Sequence, residues 1–501
     1  MRRFLALTLL TLAACSDTPE GSQPLDAGAD AELPQWTGWP ECDETAATQR
    51  ITFVHANDLH ATYTPVNGVS PWSRVRGFYE LVRRQSPYTV FTNGGDDHEK
   101  GSVAELLSGG LSTIEMVQGM EFDLRVIGNH DFAWSLEELL AFTHDEHSDV
   151  LLSNVSYTGE SPELFEAVPF VVKQIGCLRV GFGGLVSMPW DERDVEIPEN
   201  FYPELAGDYD YVAQAQALVD AHRSEVDLFV LLNHVGLGDD ATIAMQVPGI
   251  DIILSGHSHT LTGSPVVAGE TLIVQSGAFA QWVVRLDVDV DLATHEILDR
   301  DFRAQSVATA PVSETMQAVA DHVMQSYAPG ALDIVGHVQA PRSTLEIARI
   351  TAQAALDEFA TDAAIVETRT VWQSWESGPL TQQDMANTFK VERERPGTPG
   401  FNSFYTVHLN GAALTALRDG SPEGPWAGLF PATIDLAATY SLAVQKRAAF
   451  HPDEFLPIGV EFSDAPVFGM EAWEVLDAYA RARTAMCLAV DVATALPDCT
   501  P

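Results

Sequence analysis

The chain has 501 residues, 46% of them of hydrophobic type, which is more than one ordinary core holds, so two or three domains are expected. Against 27 Lys and Arg stand 71 Asp and Glu, a formal net charge of −44. That balance excludes a nucleic-acid polymer as partner, because neutralising a phosphate backbone takes a surplus of cations. It leaves open a small phosphorylated substrate, which meets only the local field of its site.

At the N-terminus Arg2 and Arg3 precede the apolar run Phe4 to Leu12, which ends in Leu12-Ala13-Ala14-Cys15. The run is far shorter than the roughly 20 residues that span a bilayer, and nothing later in the chain is long and apolar enough to do so. Small residues before a Cys resemble a bacterial lipoprotein signal, which implies removal of residues 1–14 and a lipid on Cys15. Residues 15–48 are rich in Ser, Asp, Pro, Ala and Gly and read as a flexible acidic tether. The expected location is therefore outside the cytoplasm, anchored by lipid to the cell envelope. Of the other cysteines, Cys487 and Cys499 are close enough to staple the tail, and Cys177 lies in an apolar run and reads as a buried thiol. With Cys42 they match no zinc spacing.

Residues 49–305 alternate short β-branched runs (ITFVHA, YTVFTN, DLRVIG, VLLSNV, LRVGFGG, DLFVLLN, DIILSG) with longer amphipathic segments such as Arg74–Arg84 and Tyr211–Ser224. Alternation of this kind predicts an α/β domain with helices covering sheets. TLIVQSG and WVVRLDVDV read as a closing antiparallel pair. A helical linker over 306–331 then leads to a second, smaller α/β domain, 332–501. That domain carries a helical pattern at Glu346–Glu358, the strand-like AAIVE, the segment LTQQDMANTF, and the strand FYTVHLNG followed by the helix AALTALRDG.

Five of the apolar runs end alike. After ITFVHA comes Asn57-Asp58-Leu59-His60, after YTVFTN comes Gly94-Gly95-Asp96, and after DLRVI comes Gly128-Asn129-His130-Asp131. After DLFVLL comes Asn233-His234, and after DIILS comes Gly256-His257-Ser258-His259. Taken singly, Asp58 reads as a turn former, Asn129 as a helix cap and His234 as a core histidine. Recurrence at five strand ends favours function, since the carboxyl edge of an α/β sheet is where such folds build sites. If the strands share a sheet, Asp58, His60, Asp96, Asn129, His234, His257 and His259 converge. Carboxylate, imidazole and amide donors suit Mn, Zn or Fe, and seven are too many for one tetrahedral ion. Two divalent ions with Asp96 as the shared carboxylate fit the set. His55, inside a strand, is assigned to packing.

The order D-x-H, GD, GNH, NH, GHxH resembles the calcineurin-like metallophosphoesterases, and within them the bacterial periplasmic 5′-nucleotidase group. VDLFVLLNHVGLGDDATIAMQVPGIDIILSGHSHT carries the resemblance further, and LTQQDMANTF and YTVHLNGAAL extend it weakly into the second domain. The resemblance implies a four-layer α/β sandwich and two-metal hydrolysis of a phosphoester, with a nucleotide or another small phosphomonoester as substrate. Metal one would take Asp58, His60, Asp96 and His259, and metal two Asp96, Asn129, His234 and His257, while His130 would face the substrate as proton donor. A 2′,3′-cyclic phosphodiesterase or a thiosulfohydrolase uses a similar centre. A non-catalytic surface lipoprotein with a vestigial site is the reading from another class. The sequence leaves oligomeric state open.

Three departures qualify the resemblance. The family's acid three residues after the GNH histidine is replaced by Ala133. Glu99, in Gly95-Asp96-Asp97-His98-Glu99-Lys100-Gly101, is expected to orient His130 instead, ahead of Asp97 or Asp131. In the second domain Val366-Glu367-Thr368-Arg369-Thr370-Val371-Trp372 stands where nucleotidases carry an NGGGIR-type segment. Arg369 and Trp372 are therefore the candidate substrate contacts, for phosphate and base, with Trp375 beside them. The GGDG-type aromatic segment near the C-terminus is replaced by RAAFHPDEF.

Overall fold

The strand runs are buried on both faces, and this decides the architecture. In a computed structural model describing residues 38–187, 202–389, 399–400, 402–420, 426–457 and 459–491, the runs form two six-stranded sheets rather than one. Sheet one has the order β14 (Ile297–Ser306), β13 (Trp282–Asp291), β1 (Thr48–Ala56), β2 (Thr89–Asn93), β3 (Leu124–Val126) and β4 (Asp149–Leu151). Sheet two has the order β11 (Val266–Ala268), β12 (Thr271–Val274), β10 (Ile252–Ser255), β9 (Leu228–Asn233), β7 (Leu178–Gly183) and β6 (Phe170–Ile175). A short pair, β5 (Val155–Tyr157) with β8 (Leu205–Gly207), lies beside them.

The sheets pack face to face through Ile51, Phe53, Val126, Phe182, Val230, Leu232, Leu254 and Val284. Alternate residues of sheet two, Phe229, Leu231, Ile253 and Ile273, turn the other way onto α5 (Tyr211–His222) and α6 (Leu237–Gln246). Sheet one is backed by α1 (Pro71–Gln85), which in turn packs on α7 (Glu314–Tyr327), as does α3 (Leu111–Met120). Helix, sheet, sheet and helix make four layers. The shorter α2 (Val103–Ser108) and α4 (Leu136–Thr143) sit in the connections.

Two expectations change here. The five ligand-bearing runs do not share a sheet: β1, β2 and β3 lie in sheet one, β9 and β10 in sheet two. Their C-terminal ends still meet, because both sheets present that edge to the same end of the sandwich. Nor do TLIVQSG and WVVRLDVDV pair. β12 runs parallel to β10, whereas β13 runs antiparallel to β1 in the other sheet. His55 bridges the sheets: one ring nitrogen lies 3.0 Å from Thr92 Oγ1, and Nε2 lies 2.9 Å from the Ser255 carbonyl oxygen. Burial pushes its pKa down to about 4, as a neutral packing role requires.

Cys177 is not a free thiol. It is bridged to Cys42 across 135 residues, tying the entry segment to β7. Cys487 is also disulfide-bonded, and Cys499 lies outside the described residues, as do residues 1–37 with Cys15. Replacing Cys42 and Cys177 by Ser is expected to cost ~2–4 kcal/mol, measured as a lower melting temperature. An unchanged melting temperature would mean that the bridge constrains nothing.

The second domain is built on a five-stranded sheet of order β19 (Trp426–Leu429), β16 (Ala363–Glu367), β20 (Thr439–Gln445), β18 (Phe404–Asn410), β21 (Val467–Phe468). α8 (Thr344–Phe359) covers it, and the helix Ala472–Ala485 packs on α8. A separate pair joins β15 (Ile334–Val338) to β17 (Gly378–Thr381). The LTQQD stretch proves to be a capping box. Thr381 Oγ1 accepts the Asp384 N–H, and Asp384 Oδ2 accepts the Thr381 N–H at 2.7 Å, starting α9 (Gln382–Asn387). α10 (Gly411–Asp419) follows β18 under an Asn410 cap.

Candidate metal centre

The ligand loops are held in backbone conformations that ordinary residues avoid. Asp58, His60, Asp96, His257 and His259 all have positive φ, from 47° to 77°. Left-handed backbone at non-glycine residues persists only where the surroundings over-determine it, and it concentrates at functional sites. Glycines bring the loops together: a Cβ on Gly128 would lie 2.2 Å from Asp96 Oδ1, and one on Gly256 2.4 Å from the Gly94 carbonyl oxygen.

Two groups of donor atoms result, each with its atoms within 4.8 Å of one another: Asp58, His60, Asp96 and His259, and Asp96, His234 and His257. Asp96 belongs to both. In the first group His259 Nε2 lies 3.2 Å from Asp58 Oδ1 and 3.1 Å from His60 Nε2. In the second, Asp96 Oδ2 lies 3.1 Å from His234 Nε2. Asn129 Oδ1 joins that second group, 3.2 Å from His234 Nε2 and 2.8 Å from His257 Nδ1.

The remaining atoms of these side chains are spoken for, which aims the donors inward. His60 Nδ1 donates to the His98 carbonyl oxygen (3.0 Å), and His234 Nδ1 to that of Gly94 (2.5 Å), so each ring turns its Nε2 to the centre. Asp58 Oδ2 accepts from Asn57 Nδ2 (2.5 Å) and from the His257 N–H (2.9 Å). Its other oxygen, Oδ1, is buried and accepts no hydrogen bond among the described residues, a costly state for a carboxylate unless a cation meets it. Burial first, then the Lys100 charge, pushes His60 well below the usual imidazole range. Burial, then His234, brings His257 down to about 4. His234 moves up to about 10, with burial opposing and the Asp96 carboxylate prevailing. Buried carboxylates, inward-facing imidazole nitrogens and an orphaned oxygen form a donor set that fits two divalent cations, one of which would displace the proton that Asp96 holds on His234.

His130 stands beside this centre, its ring 5.2 Å from that of His60. Its backbone N–H donates to Asp96 Oδ1 at 2.8 Å. Its Nδ1 lies 2.5 Å from Glu99 Oε2. Asp97 and Asp131, the two other acids near this ring in sequence, are engaged elsewhere. Asp97 accepts from Asn93 Nδ2. Asp131 accepts the backbone N–H groups of Asp96, Asp97, His98 and Gly128, tying the Asp96 and Asn129 loops together. Ala133 is buried in apolar packing.

From the second domain, Trp372 reaches Phe279 edge to face at 5.8 Å, and Phe279 lies 5.1 Å from the rings of both His60 and His259. Arg369 pairs with Glu367 and lies over the Phe455 ring at 5.6 Å, within its own domain. Trp375 is buried and donates its indole N–H to Thr388 Oγ1, which makes it a packing residue.

Sequence reading missed three participants. Phe279 carries no motif. Gln383 of α9 accepts from the Val103 N–H (2.9 Å) and Thr64 Oγ1 (2.8 Å) and donates to the Gly101 carbonyl oxygen (2.9 Å), so the second domain grips the loop after Glu99. Lys100 Nζ lies 3.0 Å from His130 Nε2. Gln383 lies in LTQQDMANTF, a segment the sequence marked only by its family resemblance.

Comparisons with known proteins bear on the family and the fold. Residues 51–261 match the family model of the calcineurin-like phosphoesterases. An uncharacterized metallophosphoesterase, YunD, of Bacillus subtilis (strain 168) is 22% identical over 352 residues, covering 67% of this chain and 72% of that one. The 5′-nucleotidase of Mus musculus is 24% identical over 294 residues, covering 52% and 49%. The chain spans about half the length of most curated relatives it matches. In fold, the solved 5′-nucleotidase precursor from Thermus thermophilus superposes with a TM-score of 0.65 at 21% identity, over 86% of this chain and 96% of that one.

Proposed function

The chain carries a calcineurin-like metallophosphoesterase domain over residues 51–261, and from that premise we propose that it releases phosphate from small phosphomonoesters, nucleotides foremost. One observation carries the reading: two ligand groups share Asp96, and the backbone N–H of His130 is hydrogen-bonded to that same carboxylate. Asp58, His60, Asp96 and His259 would hold one cation, and Asp96, Asn129, His234 and His257 the other. When bound, such ions supply Lewis acidity to phosphoryl oxygens and lower the pKa of water. His130, kept upright by Glu99 on Nδ1, presents Nε2 as the proton donor to the departing oxygen. Trp372 and Phe279 form an aromatic ledge beside His60 and His259, which suits the flat ring of a nucleoside leaving group. Arg369, paired with Glu367, is the weaker of the two substrate contacts.

Metal-reconstituted protein lacking the first 15 residues should release phosphate from AMP. Glycerol phosphate, p-nitrophenyl phosphate, a 2′,3′-cyclic nucleotide and a thiosulfate conjugate are the comparison substrates. Turnover of only the last two, or of none with two equivalents of metal bound, would overturn the reading.

We place the protein outside the cytoplasm. The Cys42–Cys177 bridge suits an oxidising compartment, and no described helix is long and apolar enough to cross a membrane. Lipid on Cys15 is the proposed anchor, and mass spectrometry of the mature N-terminus should find a diacylglycerol-modified Cys15. An unmodified N-terminus at another residue would remove the anchor.

A further inference from the structure

We propose that Lys100 is a second catalytic residue, whose ammonium group meets the leaving-group oxygen beside His130 and stabilises the charge that oxygen gains. The inference rests on the phosphomonoesterase reading and extends it to the leaving-group side of the site.

The chain is poor in lysine. It has four, Lys100, Lys173, Lys390 and Lys446, within 501 residues that carry 71 acids. One of the four stands with Nζ 3.0 Å from His130 Nε2. The other nitrogen of that ring is taken by Glu99 at 2.5 Å, so Nε2 is the atom that turns to a substrate, with Lys100 on the same side; the ammonium donates to Nε2 while that nitrogen is bare, and once Nε2 is protonated both N–H groups point to the leaving oxygen as their common acceptor. A solvated surface lysine needs no special backbone, but Lys100 has one. Glu99 and Lys100 are consecutive left-handed residues, φ 65° and 71°, a conformation that costs energy at each.

Hydrogen bonds on both flanks hold that conformation in place. The Glu99 N–H donates to Glu105 Oε1 at 2.8 Å. On the other side the Gly101 carbonyl oxygen and the Val103 N–H are both bound to Gln383 at 2.9 Å. The loop is thus built to present Glu99 to one nitrogen of His130 and Lys100 to the other.

In the reaction, the oxygen of water bonds to phosphorus as the ester P–O bond breaks, and the electron pair of that bond goes to the leaving oxygen. His130 passes the proton on Nε2 to that oxygen and regains one from the attacking water. Alcohol and inorganic phosphate are the products. Lys100 keeps all its protons and donates a hydrogen bond to the same oxygen while negative charge develops there. That help matters most for an alkoxide such as a sugar 5′-oxygen. It matters least for a leaving group that delocalises its own charge.

The test is Lys100→Met in the metal-loaded full chain, assayed on AMP and on p-nitrophenyl phosphate. The expected result is a kcat on AMP lower by ~10²-fold, a loss under about 10-fold on the aryl ester, and little change in KM. Lys100→Arg should recover part of the AMP activity. Melting temperature, metal content and the inhibition constant of inorganic phosphate should match the parent, since phosphate lacks the leaving group. Equal losses on both esters, or phosphate inhibition weakened in step, would overturn the assignment by placing Lys100 on the phosphoryl group. Unchanged kinetics would overturn it as well. A parent enzyme inert on both esters would sink the underlying reading and this proposal with it.

Discussion

Asp96→Asn should bind neither cation stoichiometrically and should lower kcat/KM by ~10³-fold or more, since metal ions contribute several kcal/mol to the transition state. The reason lies in the two oxygens. Asp96 Oδ1 accepts the His130 N–H at 2.8 Å, a bond that an amide oxygen preserves. Oδ2 faces His234 Nε2 at 3.1 Å and His60 Nε2 at 3.8 Å, one from each ligand group. An amide nitrogen there removes the charge and turns N–H donors toward both cation positions. Asp58→Asn is the control, because Asp58 belongs to one group only. Elemental analysis should find about one equivalent retained in Asp58→Asn and close to none in Asp96→Asn. In the parent, added metal should raise the melting temperature by mass action, and in Asp96→Asn that rise should vanish. If Asp96→Asn keeps one equivalent, as Asp58→Asn should, Asp96 is not the carboxylate common to both groups and the shared-ligand reading fails.

How much of this was readable beforehand follows from what each feature depends on. The ligand motifs were readable because donor types at the ends of apolar runs announce their chemistry without any tertiary information. Which sheet each run joins was not, because ITFVHA of β1 and LFVLLN of β9 are both buried throughout and burial says nothing about neighbours. The same blindness misplaced β12 and β13, which are close in sequence but belong to different sheets. The Cys42–Cys177 bridge spans 135 residues, and spacing cannot reveal a pairing at that distance. Lys100 was passed over because a lone lysine is usually solvated. Only the three-dimensional turn, with Glu99 and Lys100 both left-handed, shows that the pair straddles one imidazole. Gln383 was hidden for a similar reason. Its local sequence explains a helix start, whereas its contacts lie some 280 residues upstream.

The second large effect belongs to His130. His130→Ala is expected to lower kcat by ~10²–10⁴-fold, the usual contribution of a positioned proton donor. Metal content should hold, because the bond to Asp96 comes from the His130 backbone. Glu99 acts through that ring. Its carboxylate fixes Nδ1 and favours the protonated imidazole, and with Asp96 it outweighs burial and Lys100, which both push the other way, so His130 lies above the ordinary imidazole pKa. Glu99→Gln keeps an acceptor at Nδ1 but removes the charge. The folded-state pKa of His130 then falls, the protonated donor is lost at lower pH, and the basic limb of the kcat profile shifts downward. A loss of ~10–10²-fold in kcat should accompany it, as for other supporting partners of a site. Because Glu99 works only through His130, adding Glu99→Gln to His130→Ala should cost nothing further. A Glu99→Gln enzyme with the parent's rate and basic limb, or an additive loss in the double variant, would show that some other group holds His130 in place.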